Sequence, residues 1–91
     1  MFNKLKQFKN LRDQAKKMQG ALSTEIVKAD KNGVSITLNG NMEIIKVEIE
    51  NDLNKYSLAE AIKSAGNEAI KKAQRIMAEK VKTMGGFPGL N

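Results

Sequence analysis

Apolar residues near the N-terminus recur every three or four positions, which predicts an amphipathic helix with one face toward a core. The period fades around Gly20, where the sequence indicates that the helix ends. The apolar positions are Phe2, Leu5, Phe8, Leu11, Ala15, Met18 and Leu22.

A second and longer helix is predicted over residues 57–84. Ser57 and Glu60 match a capping box at its start, and Gly85-Gly86 with Pro88 match a helix end. Such a helix is roughly 40 Å long, so in a chain of 91 residues it is expected to meet another long helix or a second subunit. Its small residues favour either helix propensity alone or a close approach between helices. They are Ala59, Ala61, Ala65, Gly66, Ala69 and Ala73.

Between the helices the apolar period changes to two, which predicts three strands over residues 24–29, 34–38 and 43–50. Gly33 supplies the positive φ of the first turn, and Asn39-Gly40 favours a two-residue type I′ turn in the second. The fold class is therefore α+β, with a helix, a three-stranded antiparallel meander and a long C-terminal helix. Residues 1–91 form one domain, in which 84–91 are expected to be a flexible Gly/Pro tail. Open strand edges favour a homodimer.

Composition excludes most enzymatic chemistry. The chain has no cysteine and no histidine, and no nucleophile stands beside a base or within a phosphate-binding loop. Glu48, Glu50 and Asp52 alternate along a strand, a pattern more typical of a solvated surface than of a metal site. We therefore expect no catalytic residues, no metal, no cofactor and no small-molecule substrate. No apolar run is long enough to span a bilayer and no secretory signal is evident, so a cytoplasmic protein is expected.

Positive charge is concentrated at the two ends of the chain. Residues 1–20 carry six basic groups and one acidic group, residues 21–56 carry four and six, and residues 57–91 carry six and three. The net charge of +6 therefore lies on the helices, which suggests a polyanionic partner. Aromatic residues are few and only two arginines are present, so contacts to duplex phosphates with low sequence specificity are favoured over base readout.

Two other interpretations fit the same basic helices. The chain could be a protein-interaction module whose helices dock on an acidic partner of the replication or repair machinery. The N-terminal helix could also lie on a membrane surface with Phe2, Leu5 and Phe8 inserted. The second interpretation is less favoured, because the rest of the chain offers this apolar face a partner.

Several segments together resemble the YbaB/EbfC nucleoid-associated proteins over nearly the whole length. They are Met1-Phe2, Gln14-Ala-Lys-Lys-Met-Gln19, Val34-Ser-Ile-Thr-Leu-Asn-Gly40, Val47-Glu-Ile49, Ala65-Gly-Asn-Glu-Ala69, Lys71-Lys72 and Met84-Gly-Gly-Phe-Pro-Gly-Leu90. The resemblance implies a homodimer with a small β core and projecting helical arms that bind double-stranded DNA in the nucleoid, without catalytic activity.

By position, the resemblance assigns DNA contact to cations of both helices. They are Lys4, Lys6, Lys9, Arg12, Lys16, Lys71, Lys72, Arg75, Lys80 and Lys82. The segment between Met18-Gln19 and Asn39-Gly40 is shorter than is typical of the family. The first helix is therefore expected to lose a turn or two, which would change the spacing of the arms.

Overall fold

Two long helices flank a three-stranded antiparallel sheet, as predicted. The computed structural model describes residues 2–83, with side chains from Gln7 onward. The predicted Gly/Pro tail over 84–91 lies outside the described residues. The elements in chain order are α1 (Phe2–Ser23), β1 (Ile26–Lys31), β2 (Val34–Asn39), β3 (Ile44–Ile49) and α2 (Lys55–Thr83), and the sheet order is β1-β2-β3.

Helix α1 does not end near Gly20, so the helix end predicted there from the fading apolar period is wrong. It continues to Ser23, whose hydroxyl donates to the carbonyl of Gly20 at 2.7 Å. The Thr24 hydroxyl donates to the carbonyl of Ala21 at 2.9 Å. Thr24 thus completes the helix end rather than beginning a strand, and β1 begins only at Ile26.

The first hairpin turn confirms the predicted positive φ of Gly33, whereas the second differs from its prediction. Asn32 and Gly33 both have positive φ, 49° and 93°, so the tight turn predicted by Gly33 is a two-residue loop of the type I′ kind. The type I′ turn predicted at Asn39-Gly40 is wrong, because Asn39 is the last residue of β2 and pairs with Ile26. Residues 40–43 form the longer second loop.

Helix α2 begins at Lys55, two residues before the predicted start. Its cap is Asn54 rather than Ser57, since the Asn54 Oδ1 accepts the N–H of Ser57 at 2.9 Å. Asparagine is as good an N-cap as serine. The apolar stripe of α2 fits a start at either residue, so the sequence alone did not favour Asn54 over Ser57.

The core lies between α2 and the sheet. Ala61, Ala65, Ala69 and Ala73 are fully buried and pack with β-strand residues Ala29, Val34, Ile36 and Leu38. The small-residue stripe therefore marks a close approach to a sheet, which neither of the two interpretations of these residues included. At Gly66 an added Cβ would lie 3.7 Å from the Ile36 Cδ1, so the described protomer does not need a glycine there.

Helix α1 carries its apolar stripe away from this core. Near its C-terminus Met18 and Leu22 are buried, but Leu11 is 38% exposed and Phe8 is 70% exposed. The prediction that Phe8 belongs to the core is therefore wrong for the protomer. The molecule measures 62 × 19 × 18 Å, and its radius of gyration of 17.7 Å exceeds the ~12 Å of a compact chain of this length. Helix α1 thus projects from a small body that the sheet forms with α2.

Candidate nucleic-acid interface

Three predicted cations form one row on α1. Lys9, Arg12 and Lys16 are all exposed, and at 100° per residue they fall within about 60° of one another around the helix. Helical spacing thus lines up three cations on the arm. The side chains of Lys4 and Lys6 lie outside the described ones, although their backbone belongs to α1.

Three more predicted cations form a row on α2. Lys71, Arg75 and Lys82 are exposed and fall within about 40° of one another, on a flank of the helix away from its alanine stripe. Within the part of the chain that the structure describes, none of the six cations in these two rows makes an ion pair. We call the two sets the α1 row and the α2 row.

The two remaining predicted cations, Lys72 and Lys80, are engaged within the protomer. The Lys72 Nζ donates to the carbonyl of Lys28 in β1 at 2.7 Å, and the Lys80 Nζ lies 3.1 Å from the Glu25 Oε1. These contacts hold α2 along β1. A phosphate would compete with both partners, so these lysines are less available to a polyanion than the α2 row.

The structure does not bring all the predicted cations together. Lys80 lies beside Glu25, just beyond the C-terminal end of α1. Lys9 precedes Ser23 by 14 residues, so it lies about 21 Å farther along the α1 axis. Lys9 and Lys80 are therefore separated in the protomer, although both belong to the basic ends of the chain.

Cations on the sheet have a different environment. Lys28 and Lys46 lie on the polar face of the sheet, where their Nζ atoms are 3.9 and 3.7 Å from the Glu48 Oε1. These two lysines therefore already have an acidic partner. The predicted DNA-contacting cations that are exposed and unpaired among the described residues lie on the helices.

One part of the site had no recognised signal in the sequence, namely the contact between the β2–β3 loop and the end of α1. The backbone N–H of Gly40 donates to the carbonyl of Leu22 at 2.9 Å, and the Asn41 Nδ2 donates to the carbonyl of Gln19 at 3.0 Å. From the sequence, the Asn39-Gly40 pair predicts only a hairpin turn. Its second role depends on a long-range contact that local pattern does not encode.

The described residues offer neither a metal site nor a membrane span. Among the side chains that the structure describes, no group of three or more acidic residues is arranged to hold a metal ion. No helix in the described range has an apolar stretch sufficient to cross a bilayer.

The family of the chain follows from its match to a family model. Residues 1–87 match the model of the YbaB/EbfC DNA-binding family. The chain belongs to this family. Its two basic helices joined by a small sheet are thus the architecture of a member of a DNA-binding family, and the resemblance inferred from the sequence is confirmed.

Relatives named as nucleoid-associated proteins support the assignment. One from Syntrophobacter fumaroxidans is 31% identical, with 98% of this chain and 89% of the relative covered. Another, from Thermoanaerobacter pseudethanolicus, is 32% identical, with 97% and 87% covered. The fold is also that of HP0035, an uncharacterised protein of Helicobacter pylori whose crystal structure superposes with a TM-score of 0.74 at 18% identity. That match covers 87% of this chain and 89% of the other.

Proposed function

We propose that this family member is a homodimeric, nucleoid-associated protein that binds double-stranded DNA through its phosphates with low sequence specificity. The observation that carries the proposal is the pair of exposed, unpaired cation rows on the described parts of α1 and α2. Lysine and arginine on a projecting helix reach phosphate oxygens without requiring a particular base. Lys4 and Lys6 add positive charge on the first turns of α1, whereas Lys72 and Lys80 contribute mainly long-range attraction.

The placement of the exposed aromatic residues does not suit single-strand binding, and this favours phosphate contact with a duplex. Proteins that bind single strands stack successive bases on aromatic side chains arranged along one groove. Phe8 lies on α1 and Tyr56 lies at the start of α2, so the described part of the chain offers no aromatic series along one surface. With two arginines in the whole chain, bidentate readout of guanine is also limited.

The dimer is proposed from an uncovered strand. All six residues of β3 are exposed, because α2 packs on β1 and β2. Val47 and Ile49 lie opposite the buried Ile36 and Val34, and therefore on the core side of the sheet, yet each is 45% exposed. A core face left open in this way is typical of an interface between subunits.

Helix α2 extends this apolar surface. Ile62, Gly66 and Ile70 form one row along the helix, and Gly66 faces Ile36 of β2. Because Lys72 on the other flank reaches β1, this row borders the side of the sheet where β3 lies. We define the β3 patch as Ile44, Val47, Ile49, Ile62 and Ile70, all of which are exposed.

A second copy fits the β3 patch better than another partner does. The protomer has an uncovered apolar patch and an open strand edge, and a second copy covers both at once. The second copy covers the apolar patch, and it pairs with or shields the open edge of β3. The resulting dimer carries four cation rows and a formal charge of +12, twice the +6 of one chain. Binding within the nucleoid follows from this charge and from the DNA-binding function.

The test is a fluorescence anisotropy titration with a duplex of random sequence at several salt concentrations, with the mass measured by light scattering. If the dimer neutralises ~6 phosphates, the slope of log K against log salt is about −5. Binding that is independent of salt would contradict the phosphate mechanism. A dimeric mass with no duplex binding at low salt would contradict DNA binding and leave dimerisation standing.

The exposed residues Phe8 and Leu11 favour a second candidate function, in which the arm docks on an acidic protein. Phosphate binding makes no use of an apolar stripe, whereas helix-in-groove recognition does. Replacing both residues by serine separates the candidates. Phosphate-dominated DNA binding is expected to keep its affinity and salt slope, and loss of duplex binding with an intact dimer would show that the apolar stripe belongs to the binding surface.

A further inference from the structure

The loop between β2 and β3 is fastened to the C-terminal end of α1. The last carbonyls of a helix have no partner within the helix and must find one elsewhere. Here the loop adds two hydrogen bonds to the end of the helix. The N–H of Gly40 donates to the Leu22 carbonyl at 2.9 Å, which also accepts the N–H of Glu25 at 3.1 Å, and the Asn41 Nδ2 donates to the Gln19 carbonyl at 3.0 Å. The hydroxyls of Ser23 and Thr24 donate to the carbonyls of Gly20 and Ala21, so the end of α1 is fastened both locally and by the β2–β3 loop.

Gly40 is needed at this junction for space. A Cβ added there would lie 2.7 Å from the Leu22 carbonyl oxygen and 2.9 Å from its Cδ2. The side chain of Leu22 is buried and has no room to withdraw. Gly40 does not have positive φ, so close approach of two backbones, rather than turn geometry, accounts for the glycine.

Asn39 holds the loop in the shape that this contact needs. Its side chain is buried, and its Oδ1 accepts the N–H groups of Asn41 at 2.9 Å and Glu43 at 3.1 Å. Its Nδ2 donates to the Glu43 Oε1 at 2.8 Å. With both ends of the amide engaged, the loop is preorganised before it meets α1.

Glu25 connects the junction to α2. Its carbonyl accepts a second hydrogen bond from the Gly40 N–H at 2.9 Å, and its carboxylate lies 3.1 Å from the Lys80 Nζ. Three elements thus meet within a few residues of the end of α1. Farther along α1, Leu11 and Phe8 are exposed, so within the described protomer the direction of the arm is set at its C-terminal end, by this junction together with the packing of the buried Met18 and Leu22.

We propose that the Asn39-Gly40-Asn41 loop is a rigid joint that sets the direction of α1 relative to the sheet. Asn39, Gly40 and Asn41 are then positioning residues, which place the α1 row without touching DNA. The effect of the joint on duplex binding rests on the proposed function, whereas its effect on the direction of α1 does not. In this account the loop determines where the α1 cations lie relative to those of α2.

The experiment measures the direction of the arm directly. The chain has no cysteine, so Gln7→Cys on α1 and Asn67→Cys on α2, both exposed positions, accept spin labels at defined sites. Labelled protein diluted with unlabelled protein gives the distance distribution within one protomer. Asn41→Ala removes one fastening bond without a clash, Gly40→Ala forces the junction apart, and Asn51→Ala in an exposed turn is the matched control.

A narrow distribution is expected for the parent protein and for the control. Asn41→Ala is expected to broaden it, and Gly40→Ala to shift its mean, with helix content by circular dichroism unchanged for Asn41→Ala. If Gly40→Ala does not fold, Asn41→Ala still decides the question. An unchanged distribution in Asn41→Ala would overturn the joint.

Duplex affinity provides a second and separable readout. In Asn41→Ala the loosened α1 must be ordered when the duplex binds. Duplex affinity is therefore expected to fall about threefold to tenfold. Unchanged affinity with a broadened distribution would overturn the link between the joint and DNA. Failure of the parent protein to bind duplex would contradict the proposed function, and the distance measurement would still report on the joint.

Discussion

The sheet and the helices of this molecule differ in how their cations are paired. On the sheet, Lys28 and Lys46 lie beside Glu48, and the strand face under α2 is closed by fully buried alanines. On the arms, the described cations of the α1 and α2 rows have no acidic partner. The sheet instead leaves apolar residues exposed on β3. This difference supports the proposal that the sheet associates with a second copy and that the helices bind a polyanion.

The largest expected effect comes from placing a charge in the β3 patch. Val47→Asp puts a carboxylate on the core side of β3, where desolvating it against a second copy is costly. We expect the mass by light scattering to fall from dimer to monomer. Lys46→Asp, which places the same residue on the opposite face of the same strand, is the control and should remain dimeric. A dimer in both variants would show that the interface lies elsewhere.

A smaller effect is expected where the sheet is already closed. Ala65 is fully buried between α2 and the sheet, so Ala65→Leu has no space and should destabilise the fold by about 1–3 kcal/mol. Urea unfolding followed by circular dichroism measures this. Ala78, on the exposed side of the same helix, is the matched control, and Ala78→Leu should change stability little. Equal losses in the two variants would contradict the described packing of α2.

The smallest effect is a gain. At Gly66 an added Cβ meets the Ile36 Cδ1 at 3.7 Å, an ordinary contact, so Gly66→Ala should stabilise α2 by about 0.5–1 kcal/mol. The same unfolding measurement reports it. A loss instead of a gain would mean that something outside the protomer packs on Gly66, and would extend the proposed dimer interface along the row from Ile62 to Ile70.

The order of elements was predictable from the sequence because both apolar periods are strong. The ends of the elements were less predictable, since Thr24 and Asn54 act through side-chain hydrogen bonds that compete with equally plausible neighbours. The partner of the alanine stripe was also beyond local pattern, because small residues permit close approach to a sheet as well as to a helix. Rows of cations follow from helical spacing alone.

The sequence does not distinguish cations that are available to DNA from cations that are engaged within the fold. Lys71 and Lys72 are adjacent in the chain, yet Lys71 is exposed on the α2 row and Lys72 reaches the carbonyl of Lys28. Lys80 likewise depends on Glu25, which is distant in sequence. Such pairings are properties of the tertiary structure, so ten candidate cations could be named but not ranked.

The central claim is that the exposed rows, and not total charge, bind the duplex. Two double variants test it because each removes two positive charges from α2: Lys71→Gln with Arg75→Gln, and Lys72→Gln with Lys80→Gln. Anisotropy titrations with a random duplex over a salt series compare them. The account predicts that the first pair weakens binding about tenfold or more and reduces the steepness of the salt slope by up to about 3.6 in a dimer, whereas the second pair changes both far less. Equal losses in the two pairs would contradict the account, since binding would then follow net charge alone.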